Sequence, residues 1–480
     1  MTNSGRFVPA TSRLRTLAAV LLIAMLQVAC SGGSNGSNAQ PSATGTVGIL
    51  LTDAPSDLFS EINLTLTEVS VIGGADDSDG QQTVFSGSKT VNLLDLTNYS
   101  EPVAFGEVAV GSYTKLRLRI SDLELVPKDG SPAIYPMLPA NGKIDLLDQD
   151  GFDVLPGRTL LVEIDVDANK SIKITGAGNS GQYLFRPVVK VQISLGSDLP
   201  DKLARLEGIV EEISSDVDGR FEICAVDNPD NCLDINSGAD TSFFGADGMP
   251  AAFADLALGQ TVVVIGRYVP EGAEDDNGNG TDIDVELDAV VVQIGGNSTL
   301  VTGSVVTGPD ANRFLILEAA GDGALVNDSE IAVELQDGTR IFDQETETAE
   351  TAIVVGADVQ VEGFLMPPES GGTPLMLAAI IFVAPEASDQ VSGVILAGSV
   401  DTATRTFELP GPTAPICVEV PTDAGIIEVN TSTSEVTSGA AFADVIIEGR
   451  SVDAFGTAPG ESTGGCFVAD EVIVETTGSP

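Results

Sequence analysis

From residue 45 onward, apolar and polar positions alternate with period two in short runs such as Ile62 to Val69, Leu116-Arg117-Leu118-Arg119-Ile120 and Val162-Glu163-Ile164-Asp165-Val166-Asp167. Alternation places successive side chains on opposite faces of an extended chain, so each run predicts a half-buried antiparallel strand. Gly, Pro, Asp and Asn bound the runs and supply the turns. Long windows of helical period are missing, and the pattern predicts an all-β fold.

The pattern also recurs at a longer interval. Leu206-Glu207-Gly208-Ile209-Val210, Val301-Thr302-Gly303-Ser304-Val305 and Val391-Ser392-Gly393-Val394-Ile395 open three units alike. Leu287-Asp288-Ala289-Val290, Leu377-Ala378-Ala379-Ile380 and Phe467-Val468-Ala469-Asp470 close them, aligning Ala289, Ala379 and Ala469. Between these marks Gly259 to Gly266 is echoed by Gly356 to Gly363 and by Phe442 to Gly449. Each unit holds five or six strands, too few for two full sheets, and the recurrent glycines permit the bends that close a small barrel. The expected architecture is a β-sandwich over 45–197 followed by three tandem small OB-like β-barrels over 205–297, 299–386 and 390–478.

Ahead of the strands, residues 1–29 carry Arg6, Arg13 and Arg15, no acid, an apolar run from Leu17 to Leu26, and Ala29 before Cys30. This is the form of a signal peptide, and its apolar run is well short of the ~20 residues a membrane-spanning helix needs. Leu26-Gln27-Val28-Ala29-Cys30 resembles a bacterial lipoprotein box, with Gln27 at a position usually aliphatic. The resemblance implies that Cys30 becomes a lipidated N-terminus, that 30–44 is a flexible Gly/Ser tether, and, through Ser31, that the chain sorts to the outer membrane. Ordinary cleavage with Cys30 as a bystander is the competing reading. The membrane is thus an expected partner through a lipid anchor, on the periplasmic or the extracellular face.

Two further resemblances follow. Leu51-Thr52-Asp53-Ala54-Pro55, Val91-Asn92-Leu93-Leu94-Asp95-Leu96-Thr97, Gly111-Ser112-Tyr113-Thr114-Lys115-Leu116-Arg117-Leu118, Asp165-Val166-Asp167-Ala168-Asn169-Lys170-Ser171 and Leu184-Phe185-Arg186-Pro187-Val188-Val189 occur in order. With them residues 45–197 resemble domain-of-unknown-function family 4382, found in bacterial exported proteins and lipoproteins. The Gly-Val opening, central Gly-bounded strand and Leu-x-Ala-x-x-Val closing strand resemble the repeats of domain-of-unknown-function family 5666. Neither resemblance implies an activity.

Composition narrows the chemistry. The 480 residues include 71 acidic and 22 basic side chains, a net charge of −49, yet 43% are apolar, enough to bury a core and to exclude a wholly disordered acidic chain. Histidine is absent, which removes His-based triads and His-ligated metals. Trp is absent too, so stacking platforms are scarce, and the acidity repels phosphate backbones: nucleic acid is not an expected partner. Beyond Cys30 four cysteines remain, with three connectivities. Grouping by domain favours Cys224–Cys232 and Cys417–Cys466; a zinc site would lack any C-x-x-C spacing.

The sharpest metal candidate is Asp275, Asn277, Asn279, Thr281 and Glu286, whose D-x-N-x-N-G spacing with Glu at position twelve is that of a Ca²⁺ loop, here between strands. A plain acidic hairpin is the simpler reading. Lys115, Arg117 and Arg119 share one strand face, either as an anion-binding stripe or as one side of a cross-strand ion ladder against Glu163, Asp165 and Asp167. Ser86-Gly87-Ser88-Lys89 has S-x-x-K spacing without companion motifs, and no catalytic residue is assigned. No cofactor is expected apart from Ca²⁺. The reading is a non-enzymatic cell-envelope lipoprotein with a structural or binding role, toward polysaccharide or envelope proteins. Its rivals are a Ca²⁺-dependent adhesion or matrix module and a secreted glycoside hydrolase acting through two carboxylates.

Overall fold

The computed structural model describes residues 43–476 apart from 54–58, 74–79, 129, 139–141, 167–170, 176–181, 186–187, 196–198, 201, 215–218, 227–231, 271–284, 297, 311, 322–329, 344–345, 367–371, 384–388, 413, 434 and 459–464. Its described strands run in chain order β1 (Thr44–Asp53), β2 (Phe59–Ile72), β3 (Gln81–Asn92), β4 (Tyr99–Ala109), β5 (Gly111–Pro127), β6 (Lys143–Val154), β7 (Thr159–Val166), β8 (Ile172–Thr175), β9 (Gln182–Phe185) and β10 (Val189–Leu195). Next come β11 (Leu203–Ile213), β12 (Arg220–Ala225), β13 (Cys232–Phe244), β14 (Pro250–Ala251), β15 (Thr261–Pro270) and β16 (Val285–Ile294). A third group holds β17 (Thr299–Asp310), β18 (Arg313–Gly321), β19 (Glu330–Asp343), β20 (Thr346–Glu347), β21 (Asp358–Met366) and β22 (Leu375–Val383). The last holds β23 (Asp389–Val394), β24 (Thr406–Leu409), β25 (Ile416–Glu419), β26 (Gly425–Asn430), β27 (Glu435–Ser438), β28 (Ser451–Thr457) and β29 (Phe467–Thr476). The fold is all-β.

Eight of the first ten strands build a sandwich, and β8 and β9 pair with each other as a separate two-stranded sheet. One sheet runs β10–β7–β1–β4 and the other β6–β5–β2–β3. Between them lie Val47, Ile49 and Leu51 of β1, Ile62, Leu64 and Leu66 of β2, Leu116, Leu118 and Ile120 of β5, and Val162 and Ile164 of β7, all spaced by two as the alternation requires.

The next two groups each close a barrel. In the first, β11 pairs with β12 and β15, β12 with β13, β13 in parallel with β16, and β16 with β15. In the second, β17–β18–β19–β22–β21 repeats that ring, again with one parallel contact. This five-strand order matches the expected OB-like shape. The third barrel breaks its middle strand into β25 and β26, both parallel to β29, and β28 joins β29 to β23. A hydrogen bond from Leu396 N–H to the Glu408 carbonyl brings β23 toward β24.

The repeat has a physical signature that becomes visible in the register. Gly208, Gly303 and Gly393 lie opposite Val262, Val359 and Val452. Three residues before each valine stands a glycine with φ of 78°, 88° or 82°: Gly259, Gly356 and Gly449. Seven residues after each of these, Gly266, Gly363 and Gly456 sit at a bulge where a Cβ would lie within 2.3 Å of the carbonyl oxygen of Asp288, Leu377 or Val468. The third echo is therefore Gly449 to Gly456; the expected stretch Phe442 to Gly449 instead holds a one-turn helix, Phe442–Val445. The closing alanine of the second unit is likewise Ala378, opposite Gly363, where Ala289 and Ala469 face Gly266 and Gly456.

The barrels do not hang as beads, because the described residues form one compact unit. Leu50 and Leu161, on the outer face of the sandwich, belong to the core of the first barrel. Tyr99, Val263, Ile265, Phe342, Ile380 and Phe382 form a core of their own between sandwich, first barrel and second barrel. The third barrel returns to the sandwich: β27 pairs in parallel with β6, and Ile427, Val429, Val436 and Ile473 enter the sandwich core.

Candidate functional site: a groove between the sandwich and the first barrel

Strands β4 and β11 run parallel and pair at Tyr99–Leu203 and Ser100–Ala204. Beyond that point β4 follows β1, while β11 turns into the barrel with β12 and β15. Their divergence opens a cleft of about 400 Å³ whose walls include Lys89, Glu101, Phe105, Arg205, Ile223 and Leu233. Through Phe105, Cys232 and Leu233 it adjoins a second space of about 380 Å³ flanked by Glu107, Glu222, Asp234 and Glu286. Both volumes lie in the range of small-ligand sites, which favour domain junctions.

At the end of the groove lined by Lys89 and Arg205, each cation is paired with a carboxylate. Lys89 Nζ lies 3.0 Å from Glu101 and donates to the Pro102 carbonyl at 2.9 Å. Arg205 Nε donates at 3.0 Å to Oε1 of the fully buried Glu362, which also accepts from Ser298 Oγ at 2.6 Å. Burial is the largest influence on Arg205 and works against its charge, but Glu362, Tyr99 and Glu101 together outweigh it and lift the guanidinium pKa above its ordinary value. Burial, followed by Glu362, raises the Tyr99 phenol.

The other end is not balanced in the same way. Glu222 stands directly opposite Glu212 on one side and Asp234 on the other. Arg220 pairs with Asp234 at 3.2 Å and with Glu286. Burial first, then Asp234, Glu212 and Glu211, push the Glu222 carboxyl above its usual range. Cys224 and Cys232 lie close to Glu222 at ligand-like spacing, but they are joined to each other as a disulfide across β12 and β13 and offer no thiolate. The second disulfide, Cys417–Cys466, ties β25 to the start of β29. Both pairings are those favoured from domain grouping.

The basic stripe is committed to carboxylates. Arg117 and Asp145 are both buried and joined by two bonds, Nε to Oδ1 at 2.6 Å and an Nη to Oδ2 at 2.8 Å. Lys143 at 2.9 Å and Lys115 at 3.5 Å approach the same carboxylate, Lys115 also reaches Glu435 of the third barrel at 3.6 Å, and Arg119 reaches Glu68 at 3.5 Å. Burial pushes the Asp145 carboxyl up, but Arg117 and Lys143 overcome it and hold it below the ordinary range. The ladder thus forms with other acids than expected. Strand β7, carrying Glu163 and Asp165, lies in the opposite sheet between β1 and β10, where Asp165 faces Thr52 and Lys190. Asp167 lies outside the described residues, as do Asp275, Asn277, Asn279 and Thr281 of the calcium-like loop. Glu286 is described: its carboxylate is engaged by Arg220 and, at 2.6 Å, by Asn236.

Asp145, Arg205 and Glu362 escaped the sequence reading. Lys143-Ile144-Asp145 did carry a sign, two charges alternating in a strand, but its partner depends on strand order.

The sandwich has a counterpart in sequence. Residues 44–187 match the family model described as Domain of unknown function (DUF4382). The DUF4382 match runs from the start of β1 past the end of β9 and supplies β3 and β4, one wall of the groove; β10, which completes the sheet beside β7, lies beyond it. The other wall, β11 to β13, also lies outside the match. No curated protein matches the chain.

Proposed function

We propose that this chain is an exported, lipid-anchored envelope protein that serves a binding or structural role without catalysis. The observation that carries the reading is the cysteine balance. The sequence has five cysteines, and four of them are consumed in two disulfides within 224–466. Structural disulfides belong to oxidising compartments, which supports export. Cys30 is left over, at the residue following a leader-like segment and in the position of a lipoprotein box. Lipidation accounts for it, and Ser31 favours the outer membrane. The DUF4382 match and the resemblance of the three barrels to domain-of-unknown-function family 5666 are consistent with an exported protein, and the groove offers the binding surface, toward polysaccharide or envelope proteins.

The test is growth of a Gram-negative host expressing the full chain with an alkyne-tagged fatty acid, followed by coupling to a fluorophore. Labelled protein in the membrane fraction is expected, with the label lost from Cys30→Ser. An unlabelled wild type, or label retained by Cys30→Ser, overturns lipid anchoring.

A further inference from the structure

Among the described residues, the groove contains a stretch of strand edge to which no other strand is paired. Val110 N–H bonds to the Ala43 carbonyl at 2.9 Å, continuing the antiparallel register of β4 on β1. Hydrogen-bonded and non-bonded positions alternate along such a ladder, so Val108 and Gly106 spend their main-chain groups on β1. Phe105, Glu107 and Ala109 turn theirs outward. Ala109 N–H finds Gln82 Oε1 at 2.7 Å, and at the other end Pro102 offers no donor while its carbonyl is taken by Lys89. Both ends of the edge are thereby blunted. Among the described residues no strand pairs with this edge of β4 beyond Ser100, and Phe105 borders both halves of the groove.

We propose that the groove takes an extended peptide of alternating cationic and apolar residues, added as a short strand along Phe105–Glu107. Main-chain pairing at an exposed edge supplies affinity, and pockets for alternate side chains supply selection. Phe105 packs toward the first barrel's core, so every second side chain of an added strand faces that barrel. There it meets Glu107, Glu222 and Asp234, a carboxylate row with like charges set directly opposite. The intervening side chains face β3, where Phe85 borders the cleft. Cationic residues fit the first side and apolar ones the second; an acidic peptide is repelled.

The inference rests on the binding half of the proposed function and not on the lipid anchor. The full exported chain, purified in mild detergent, is titrated into a fluorescent hexapeptide of alternating Lys and Val, and the anisotropy is followed. Three companion peptides are compared: Glu in place of Lys, N-methylation of alternate residues on one edge, and N-methylation of alternate residues on the other. Saturable binding of the Lys peptide is expected. Tenfold or greater weakening is expected for the Glu peptide and for one methylated edge only. Glu222→Lys and, separately, Glu107→Lys should each weaken the Lys peptide at least tenfold while leaving the thermal melt within a few degrees. Equal binding of both methylated peptides, no response to either substitution, or saturable binding of a neutral hexasaccharide without the peptide overturns the proposal. So does self-association in sedimentation velocity that Glu107→Lys abolishes, which would assign the edge to a second copy. Cys30→Ser should bind as wild type does, so failed lipidation and failed peptide binding read out separately.

Discussion

Two rows of charge cross neighbouring strands of this molecule, one in the sandwich and one on the first barrel, and they are spent in opposite ways. In the sandwich, Asp145 gathers Arg117, Lys143 and Lys115, and Lys115 reaches on to Glu435. That row is centred on the buried Arg117–Asp145 pair, compensated, and continuous with the seam to the third barrel. On the barrel, Glu212, Glu222 and Asp234 stand side by side, with Arg220 drawn toward Asp234 and Glu286. That row borders open space. Like charges placed directly opposite one another cost stability, and here they concentrate negative potential along one wall of the groove.

The largest effect should come from breaking the compensated row. Asp145→Ala leaves Arg117 buried without its carboxylate, and an uncompensated buried charge costs about 3–5 kcal/mol. Urea unfolding of the full chain should show the lower midpoint. Arg117→Met with Asp145→Leu removes both charges and should recover more than half of the loss. A double variant no better than Asp145→Ala would mean that Lys115 and Lys143, not Arg117, dominate the seam. The covalent clips come next. In a chain-entropy account the longer loop closed by Cys417–Cys466 is worth about 4 kcal/mol and the short Cys224–Cys232 loop about 3 kcal/mol, so paired Ser substitutions should rank in that order in the same assay. Equal losses would say that native-state packing around the clips, and not loop length, sets their value.

How much of this was legible in the sequence follows from which interactions are local. Strand faces in β2 and β5 could be read from alternation, and the barrels from glycines that no other residue can replace at a bulge. The compact packing was also written in the chain, but in another form: Ile49-Leu50-Leu51 and Leu377-Ala378-Ala379-Ile380-Ile381-Phe382 are continuous apolar runs. A strand alternates when one face meets water; it does not when both faces are buried, and these strands touch two cores each. The third repeat was read out of register because an apolar stretch ending in Gly449 mimics the strand that really begins after it. The ion partners were not legible at all. Arg117 with Asp145, Arg205 with Glu362 and the divergence of β4 from β11 all depend on strand order, which local pattern leaves open. The groove exists only because the two domains part at Ser100.

The smallest effect sharpens the comparison most, since the two rows should respond to acid with opposite sign. The Glu222 carboxyl lies above its ordinary range, so the folded chain takes up that proton more readily than the unfolded one; its contribution to stability should rise as pH falls through the raised pKa, starting somewhat above about 4.3. Asp145 lies below its ordinary range, so its contribution is complete above about 3.9 and is lost as pH falls through the lowered value. Descending from neutral pH, stability contributed by the barrel row should therefore climb before that of the sandwich row collapses. Glu222→Gln removes the like-charge opposition outright, and should stabilise the chain at pH 7 by about 0.2–1 kcal/mol and flatten the climb above the ordinary carboxylate range, while leaving the acid collapse of the Asp145 row in place. Thermal melts of wild type and variant at half-unit pH steps would show this as two curves that differ at neutrality and converge on acidification. Curves offset by a constant amount at every pH would mean that Glu222 carries no shifted proton and that its acidic neighbours leave its titration unperturbed.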